Sequence, residues 1–281
     1  MEQKVERTHT YHAEATVIEG HLTLPFHQQI GRQAHVSLAP EGGYFSRRLD
    51  NFRLGEVISI RSGYTQVAGN KSKKEKEGWD TLVTFVAEGV NVLEVLPADR
   101  VVGQMIIEHP LEGYVPRINF LGTRFENLRI AGHPVHLDLD LGILGARPRK
   151  DASYGSDSEL KDRVSAQYAR IRKQKNLPAE LADHYKRLSS TLGNREAVEL
   201  SLVNQATGAF AGTSFGHKIH IPDFGWITLA KVRITHEDFI AKTDVPRKTT
   251  VHLTMIDLKL GCTTEGSVPI GSGSGNGGSG G

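Results

Sequence analysis

The chain has 281 residues, of which 38% are hydrophobic, and this length and composition support a sizeable core without disulfide bonds. Lys and Arg total 34 against 32 for Asp and Glu, so the net charge of +2 excludes a whole-molecule field that would attract nucleic acid or an anionic membrane. The single cysteine, Cys262, excludes an intrachain disulfide.

Both ends of the chain are predicted to lie outside the fold. Residues 1–10 contain no apolar core of the signal-peptide kind and are predicted to be a flexible N-terminus. Residues 271–281 consist only of Gly, Ser and one Asn, which offer no side chains to bury, so they are predicted to form a flexible tail. No apolar run approaches the roughly 20 residues that span a bilayer. We therefore expect a soluble cytoplasmic protein, and an extracellular location is not excluded.

Residues 11–150 show the pattern of β-strands. Short runs of alternating apolar and polar residues are separated by Gly, Pro or charged clusters. Clear examples are residues 57–60, 81–86 and 101–107. The charged stretch 69–78 lies between glycines and is predicted to be an exposed hairpin loop.

Residues 151–195 interrupt this pattern and are predicted to be a helical insertion. Ser156 or Asp157 can cap a first helix, and Pro178 suits the first turn of a second one. The apolar positions of both helices recur at spacings of three and four: Leu160, Val164, Tyr168 and Ile171, then Leu181, Tyr185 and Leu188. The first helix is also basic, which leaves nucleic-acid binding open as the least favoured hypothesis. Its cationic residues are Lys161, Arg163, Arg170, Arg172, Lys173 and Lys175.

The strand pattern resumes over residues 196–270, which we expect to belong to the same domain as the first β-rich segment. Most runs alternate, as in strands with one buried and one wet face. The expected fold class is mainly β: an antiparallel β-sandwich or jelly-roll-like fold with one helical hairpin insertion. Residues 128–139 resemble residues 232–258, so two related β units are possible. Chance similarity between strands drawn from a small alphabet is the alternative.

Four segments carry a resemblance to known families. Ala98-Asp99-Arg100-Val101-Val102, residues 125–135, Gly225-Trp226-Ile227-Thr228-Leu229 and the closing strand are similar to the β domain of bacterial surface proteins called choice-of-anchor P. Nearly the whole chain also resembles a family of uncharacterised hypothetical proteins from soil bacteria. The first resemblance implies a β domain displayed at a bacterial surface. Neither supplies a catalytic motif.

The best candidate for a metal site is the run from His136 to Asp140. On a strand, His136, Asp138 and Asp140 project to the same face, and imidazole with carboxylates suits a divalent cation. The alternative is an ordinary strand with a solvated face, in which Leu137 and Leu139 point into the core. A divalent metal is therefore a possible cofactor.

The motifs of common enzymes are missing from the sequence. It contains no GxxxxGK[ST], no GxGxxG between a strand and a helix, no HExxH and no GxSxG. The leading hypothesis is a non-enzymatic structural or self-assembling β protein, possibly a surface-binding module, that associates with itself or another protein along free sheet edges. The alternatives are a metal-dependent enzyme or metal-stabilised binding protein centred on His136, Asp138 and Asp140, and a carbohydrate-binding module that uses Trp79 and Trp226 as sugar platforms.

Overall fold

A computed structural model describes residues 8–24, 27–72, 77–261 and 264–280. Within these residues the chain forms nineteen strands, two α-helices and two single 3₁₀ turns. In chain order the strands are β1 (Thr8–Leu24), β2 (Gln28–Gln33), β3 (Val36–Ser37), β4 (Gly43–Leu54), β5 (Ile58–Lys71), β6 (Glu77–Val92), β7 (Leu96–Pro110), β8 (Arg117–Asn119), β9 (Arg124–Glu126), β10 (Arg129–Ile130), β11 (His133–Pro134), β12 (His136–Leu139), β13 (Ala197–Ser201), β14 (Val203–Thr207), β15 (Thr213–Phe215), β16 (Lys218–Ile221), β17 (Gly225–Phe239), β18 (Pro246–Leu260) and β19 (Glu265–Gly280).

Two large antiparallel sheets pack face to face, as in a sandwich, and the predicted mainly-β fold class is confirmed. Sheet A has the order β15-β16-β17-β18-β19-β1-β2, with β13 added to β17 and β3 to β1. Sheet B has the order β4-β5-β6-β7-β8, with β9 added to β7. The core lies where β1, β18 and β19 meet β5, β6 and β7. We call the face of sheet A that points away from sheet B its outer face.

The predicted helical insertion is confirmed as two helices, α1 (Ser158–Arg172) and α2 (Ala179–Thr191). The carboxylate of Asp157 caps α1 by accepting a hydrogen bond from the backbone N–H of Leu160, 2.8 Å away. The insertion covers only one end of the outer face of sheet A. There the Gln167 amide exchanges hydrogen bonds with the backbone of Ser201, and the Tyr185 hydroxyl bonds to Nε2 of His217 at 3.1 Å.

The prediction of a flexible Gly/Ser tail is wrong for residues 271–280. These residues form the second half of β19, which lies inside sheet A with β18 on one side and β1 on the other. The Phe85 ring of sheet B explains the composition, because it fills the space that a side chain on β19 would need. A Cβ atom at Gly273 would lie 2.9 Å from Cε1 of Phe85 and 2.8 Å from Cγ1 of Val83. Only glycine lets the two sheets approach this closely.

The predicted flexible N-terminus is also partly wrong. His9 and Thr10 belong to β1, which pairs with β19 along its length. Residues 1–7, and with them the rest of that prediction, lie outside the described residues. So does Cys262.

In each long strand of sheet A, the alternation of buried and exposed side chains shifts by one residue at one point. On β17 the buried side chains are Ile227 and Leu229 before Ala230, but Val232 and Ile234 after it. Ala230 has φ = 45°, a left-handed conformation that turns the strand by one residue. Gly271 does the same on β19 with φ = 65°. Polar residues of opposite parity therefore reach the same outer face.

The two segments predicted to be related β units are not structurally equivalent. Residues 232–234 and 251–258 lie on β17 and β18, which pair directly through Ile234 and Val251. In the earlier segment, β10 pairs with β11 and β12 pairs with β14, outside both large sheets. The similarity is therefore one of strand pattern alone.

Candidate functional site

Two rows of polar side chains cross the outer face of sheet A. Strand register sets them side by side, because directly opposite residues in antiparallel strands share a face. The first row is Glu14, Ser274, His252, Arg233 and Glu199. The second row is Thr16, Ser272, Thr254, Lys231 and Ser201. Three adjoining depressions follow these rows, and together we call them the trench.

The first depression, the β19 groove, lies over the small side chains of Ser272 and Ser274. It has a volume of ≈ 190 Å³ and is walled by β18 on one side and by β1 on the other. Arg32 closes its end by pairing with Glu14 at 3.3 Å and with Glu19 at 3.2 Å. The groove exists because serines leave a gap between the longer side chains of the flanking strands.

The second depression has a volume of ≈ 270 Å³ and adjoins the β19 groove, with which it shares His252, Thr254 and Pro269. Lys231 and Asp257 line both this depression and the third one. The trench thus extends from β2 to β16. Five strand spacings correspond to a length of about 24 Å.

The third depression, the α2 cleft, is the largest of the three at ≈ 360 Å³. Helix α2 forms one wall, and β13, β16, β17 and β18 form the floor. Four cationic side chains and three carboxylates line it: Arg187, Lys218, Lys231 and Lys259, and Glu180, Glu199 and Asp257. Half-buried Trp226 also lines the cleft, with its ring centroid 4.7 Å from that of His220. The cleft therefore offers an aromatic surface and an excess of positive charge.

Charges in the α2 cleft are unevenly paired. The Glu199 carboxylate lies 3.6 Å from Nζ of Lys231 and 4.0 Å from Nε2 of His184. Lys218 donates a hydrogen bond to Oγ1 of Thr228 at 3.2 Å, but among the residues that the structure describes no carboxylate lies within 4.0 Å of its ammonium group. Burial and the neighbouring Lys231 lower the pKa of Lys218, while Glu199 and Asp257 offset part of this effect.

Beneath the cleft, the Tyr185–His217 pair joins α2 to the sheet. His217 is buried, and burial together with Lys218 lowers its pKa to about 3, so its imidazole is neutral near pH 7. Its Nδ1 atom is buried and has no hydrogen-bond partner among the described residues. A neutral ring accommodates this environment better than a charged one, which indicates a structural role for His217 in seating α2.

The residues of the predicted metal site lie away from the trench. His136 and Asp138 are exposed on β12, opposite Thr207 and Gln205 of β14. Oδ1 of Asp140 accepts a hydrogen bond from the backbone N–H of Gly142 at 3.1 Å. Over the described part of the chain, no three His, Cys, Asp or Glu side chains are grouped as metal ligands. Metal binding by His136, Asp138 and Asp140 stays a prediction.

The two tryptophans predicted as sugar platforms have different environments. Trp79 is buried and stacks on His9 with 4.9 Å between ring centroids, so it belongs to the core and offers no platform. Trp226 lines the α2 cleft. Sequence reasoning missed the polar rows that lead to Trp226, because their members come from distant parts of the chain and meet only through strand register.

Arg163, one of the cationic residues of α1, has a structural role. Nε of Arg163 donates to the backbone oxygen of Ile143 at 2.7 Å, and its Nη2 donates to that of Leu144 at 3.1 Å. These bonds hold the segment after β12 against α1. Nucleic-acid binding by the remaining cations stays a prediction.

Comparisons with known proteins identify a family without a described activity. A family model described as a domain of unknown function, DUF8256, matches residues 9–235. Neither the curated proteins nor the solved structures contain a match. Among the described helices, none is long and apolar enough to cross a membrane.

Proposed function

The chain belongs to the DUF8256 family, and we propose that it is a non-enzymatic binding module that holds an extended carbohydrate chain in the trench across sheet A. The observation that supports this most directly is that two members of the polar rows, Glu199 and Lys231, line the α2 cleft together with Trp226. An open, elongated surface lined by hydroxyl and charged groups suits a chain of sugars, whose hydroxyls donate and accept hydrogen bonds along their whole length.

The chemistry of the trench changes along its length. At the β19 groove, Ser272 offers a hydroxyl group beside the Arg32 guanidinium, while the buried hydroxyls of Thr16 and Ser274 bond to His35 and Glu14. At the α2 cleft, the Trp226 ring offers an apolar surface for the C–H face of a sugar ring. A resemblance to bacterial surface proteins of the choice-of-anchor P type agrees with a role in surface binding.

Trp226→Ala is expected to weaken binding of a glycan ligand by about tenfold, which corresponds to about 1.4 kcal/mol, because the stacking surface is removed. A glycan array identifies the ligand, and calorimetry on wild type and variant then measures the affinities. The control is Tyr44→Ala, which removes an exposed aromatic ring from β4, far from the trench. An array without hits, or equal losses in the two variants, would reject the proposal.

A second candidate function, self-assembly, is favoured by β4. This strand pairs only with β5 in the described sheet, and residues 43–48 are exposed on both faces. Tyr44 and Phe45 are 61% and 42% exposed, which is unusual for aromatic residues on a sheet edge. An unpaired edge of this length can accept a strand from another chain.

If β4 mediates self-association, Phe45→Lys should raise the dissociation constant of the assembly by about tenfold, since it replaces apolar contact area at the edge with a charge. Sedimentation over a wide range of protein concentration measures the constant. Leu121→Lys is the matched control, because it places the same charge at an exposed apolar residue between β8 and β9. A strictly monomeric wild-type protein would remove this candidate and leave carbohydrate binding untouched.

A further inference from the structure

We propose that the glycan is acidic and that its anionic substituent, a carboxylate or sulfate, binds in the α2 cleft at Lys218, with Lys259 on the other side of β17. This inference rests on the proposed carbohydrate-binding function and names the class of glycan. It follows from the unpaired charge in the cleft.

Lys218 has no carboxylate within 4.0 Å of its ammonium group among the described residues. Its ammonium is half-buried and bonds to Thr228 Oγ1, a neutral acceptor. The Glu199 carboxylate is already paired with Lys231 at 3.6 Å. A partly desolvated ammonium without a carboxylate partner is unfavourable, and an incoming anion would supply the partner.

Strand register places Lys218 and Lys259 on the two strands that flank β17, which carries Trp226. Lys218 lies opposite Thr228, and Lys259 lies opposite Trp226 on the other side of β17. The Trp226 ring therefore has a lysine on each neighbouring strand: Lys218 on β16 and Lys259 on β18. A sugar ring stacked on Trp226 would place a substituent within reach of either lysine, which is the arrangement that a charged sugar needs.

His184 and Arg187 of α2 line the same cleft. Burial and Lys218 lower the pKa of His184, so that imidazole adds no charge near pH 7 and can donate a hydrogen bond to a ligand. Arg187 of α2 adds a further cation to the same wall. The anion would thus meet ammonium and guanidinium groups on two sides of the cleft.

The experiment compares ligands that share a backbone and differ in charge. Oligogalacturonates are compared with their methyl esters, and a sulfated glycan is compared with its desulfated form, by calorimetry on the full chain. We expect the acidic member of at least one pair to bind about tenfold or more tightly, and the more strongly binding pair identifies the substituent. Raising the salt concentration should weaken binding of that acidic member.

Lys218→Met is expected to reduce the affinity for the acidic ligand to that of the neutral one and to flatten the salt dependence. Lys242→Met is the matched control, since Lys242 is exposed and lines none of the three depressions. Unfolding in urea should show that Lys218→Met still folds, because the substitution removes a charge without a carboxylate partner.

The remaining outcomes separate the two proposals. Equal binding of the charged and neutral members would overturn the acidic-glycan inference and leave carbohydrate binding in place. Charge-dependent binding that survives Lys218→Met would overturn the assignment to the α2 cleft. Binding of none of the glycans in the trench would overturn both.

Discussion

A chain that ends at Ile270 is expected not to fold, although the residues removed are only Gly, Ser and one Asn. Deletion of residues 271–281 takes away the strand that pairs with residues 8–16 of β1 and residues 248–254 of β18. The backbone groups of both strands would lose their partners in the middle of sheet A, and the Phe85 ring would lose the surface it packs against. Circular dichroism and urea unfolding measure the outcome. A truncated protein that unfolds cooperatively at the wild-type midpoint would show that these residues are dispensable.

Two point substitutions test the same feature in the intact chain. Gly273→Val should lower the free energy of unfolding by about 3 kcal/mol, because its side chain would overlap Val83 and Phe85. Ser272→Val places the same side chain at the preceding residue, which points to the outer face of sheet A. This substitution should change stability by about 1 kcal/mol or less. Equal effects at the two positions would contradict the packing of β19 against sheet B.

Acid is expected to destabilise the protein strongly between about pH 6.5 and pH 5, where most carboxylates are still ionised. Burial lowers the pKa of three imidazoles: to about 3 for His109, where His9 contributes, to about 3 for His217 and to about 4 for His236. Each stays neutral in the folded protein but takes up a proton in the unfolded chain below about pH 6.5. The unfolded state then binds more protons, so the free energy of unfolding falls with pH until it levels off near the folded pKa values.

The expected size of this effect is large. Each histidine contributes up to about 1.4 kcal/mol per pH unit once the unfolded imidazole is mostly protonated, so the three together cost on the order of 5 kcal/mol between pH 6.5 and 5. That is comparable to the whole stability of an ordinary domain. Urea unfolding followed by tryptophan fluorescence at a series of pH values measures it. A free energy of unfolding that is constant over this range would contradict the neutral burial of these rings.

His109→Phe tests the assignment. Nε2 of His109 is buried without a hydrogen-bond partner in the described part of the chain, so a phenyl ring replaces the imidazole without loss of a bond at that atom. The slope of stability against pH should fall by up to about a third, because one proton fewer is taken up on unfolding. His133→Phe, at an exposed imidazole on β11, is the control and should retain the wild-type slope.

Much of the fold could be predicted from local pattern. The α1 and α2 helices follow from apolar spacing and from the Asp157 cap, and their predicted apolar face is the one that is buried or half-buried. The strands predicted over residues 57–60, 81–86 and 101–107 correspond to parts of β5, β6 and β7, although β5 begins only at Ile58. β5 and β6 form a hairpin, as predicted, but residues 69–71 and 77–78 of the predicted exposed loop belong to its strands, and residues 73–76 lie outside the described residues. These features depend on neighbours in the sequence.

The candidate site could not be predicted in the same way. The sequence suggests Trp226 as a sugar platform but does not point to Lys218 or Lys259, because strand register alone brings the three residues together. Simple alternation would also have placed Thr228 and Lys231 on opposite faces of β17. The left-handed Ala230 between them reverses the parity and brings both to the α2 cleft.

The sequence by itself determined that the protein is a β-rich chain with one helical hairpin, since periodicity and capping act over a few residues. Only the tertiary structure decided the place of the Gly/Ser segment. Glycine has no side chain, so a run of glycines shows no apolar alternation that predicts a strand. At Gly273 glycine is required because the Phe85 ring of the opposite sheet occupies the space of a side chain. The same distinction separates the fold from the trench. Local alternation of apolar and polar residues predicts the strands, whereas the register of five strands brings together trench residues that lie as far apart in the chain as Glu14 and Ser274.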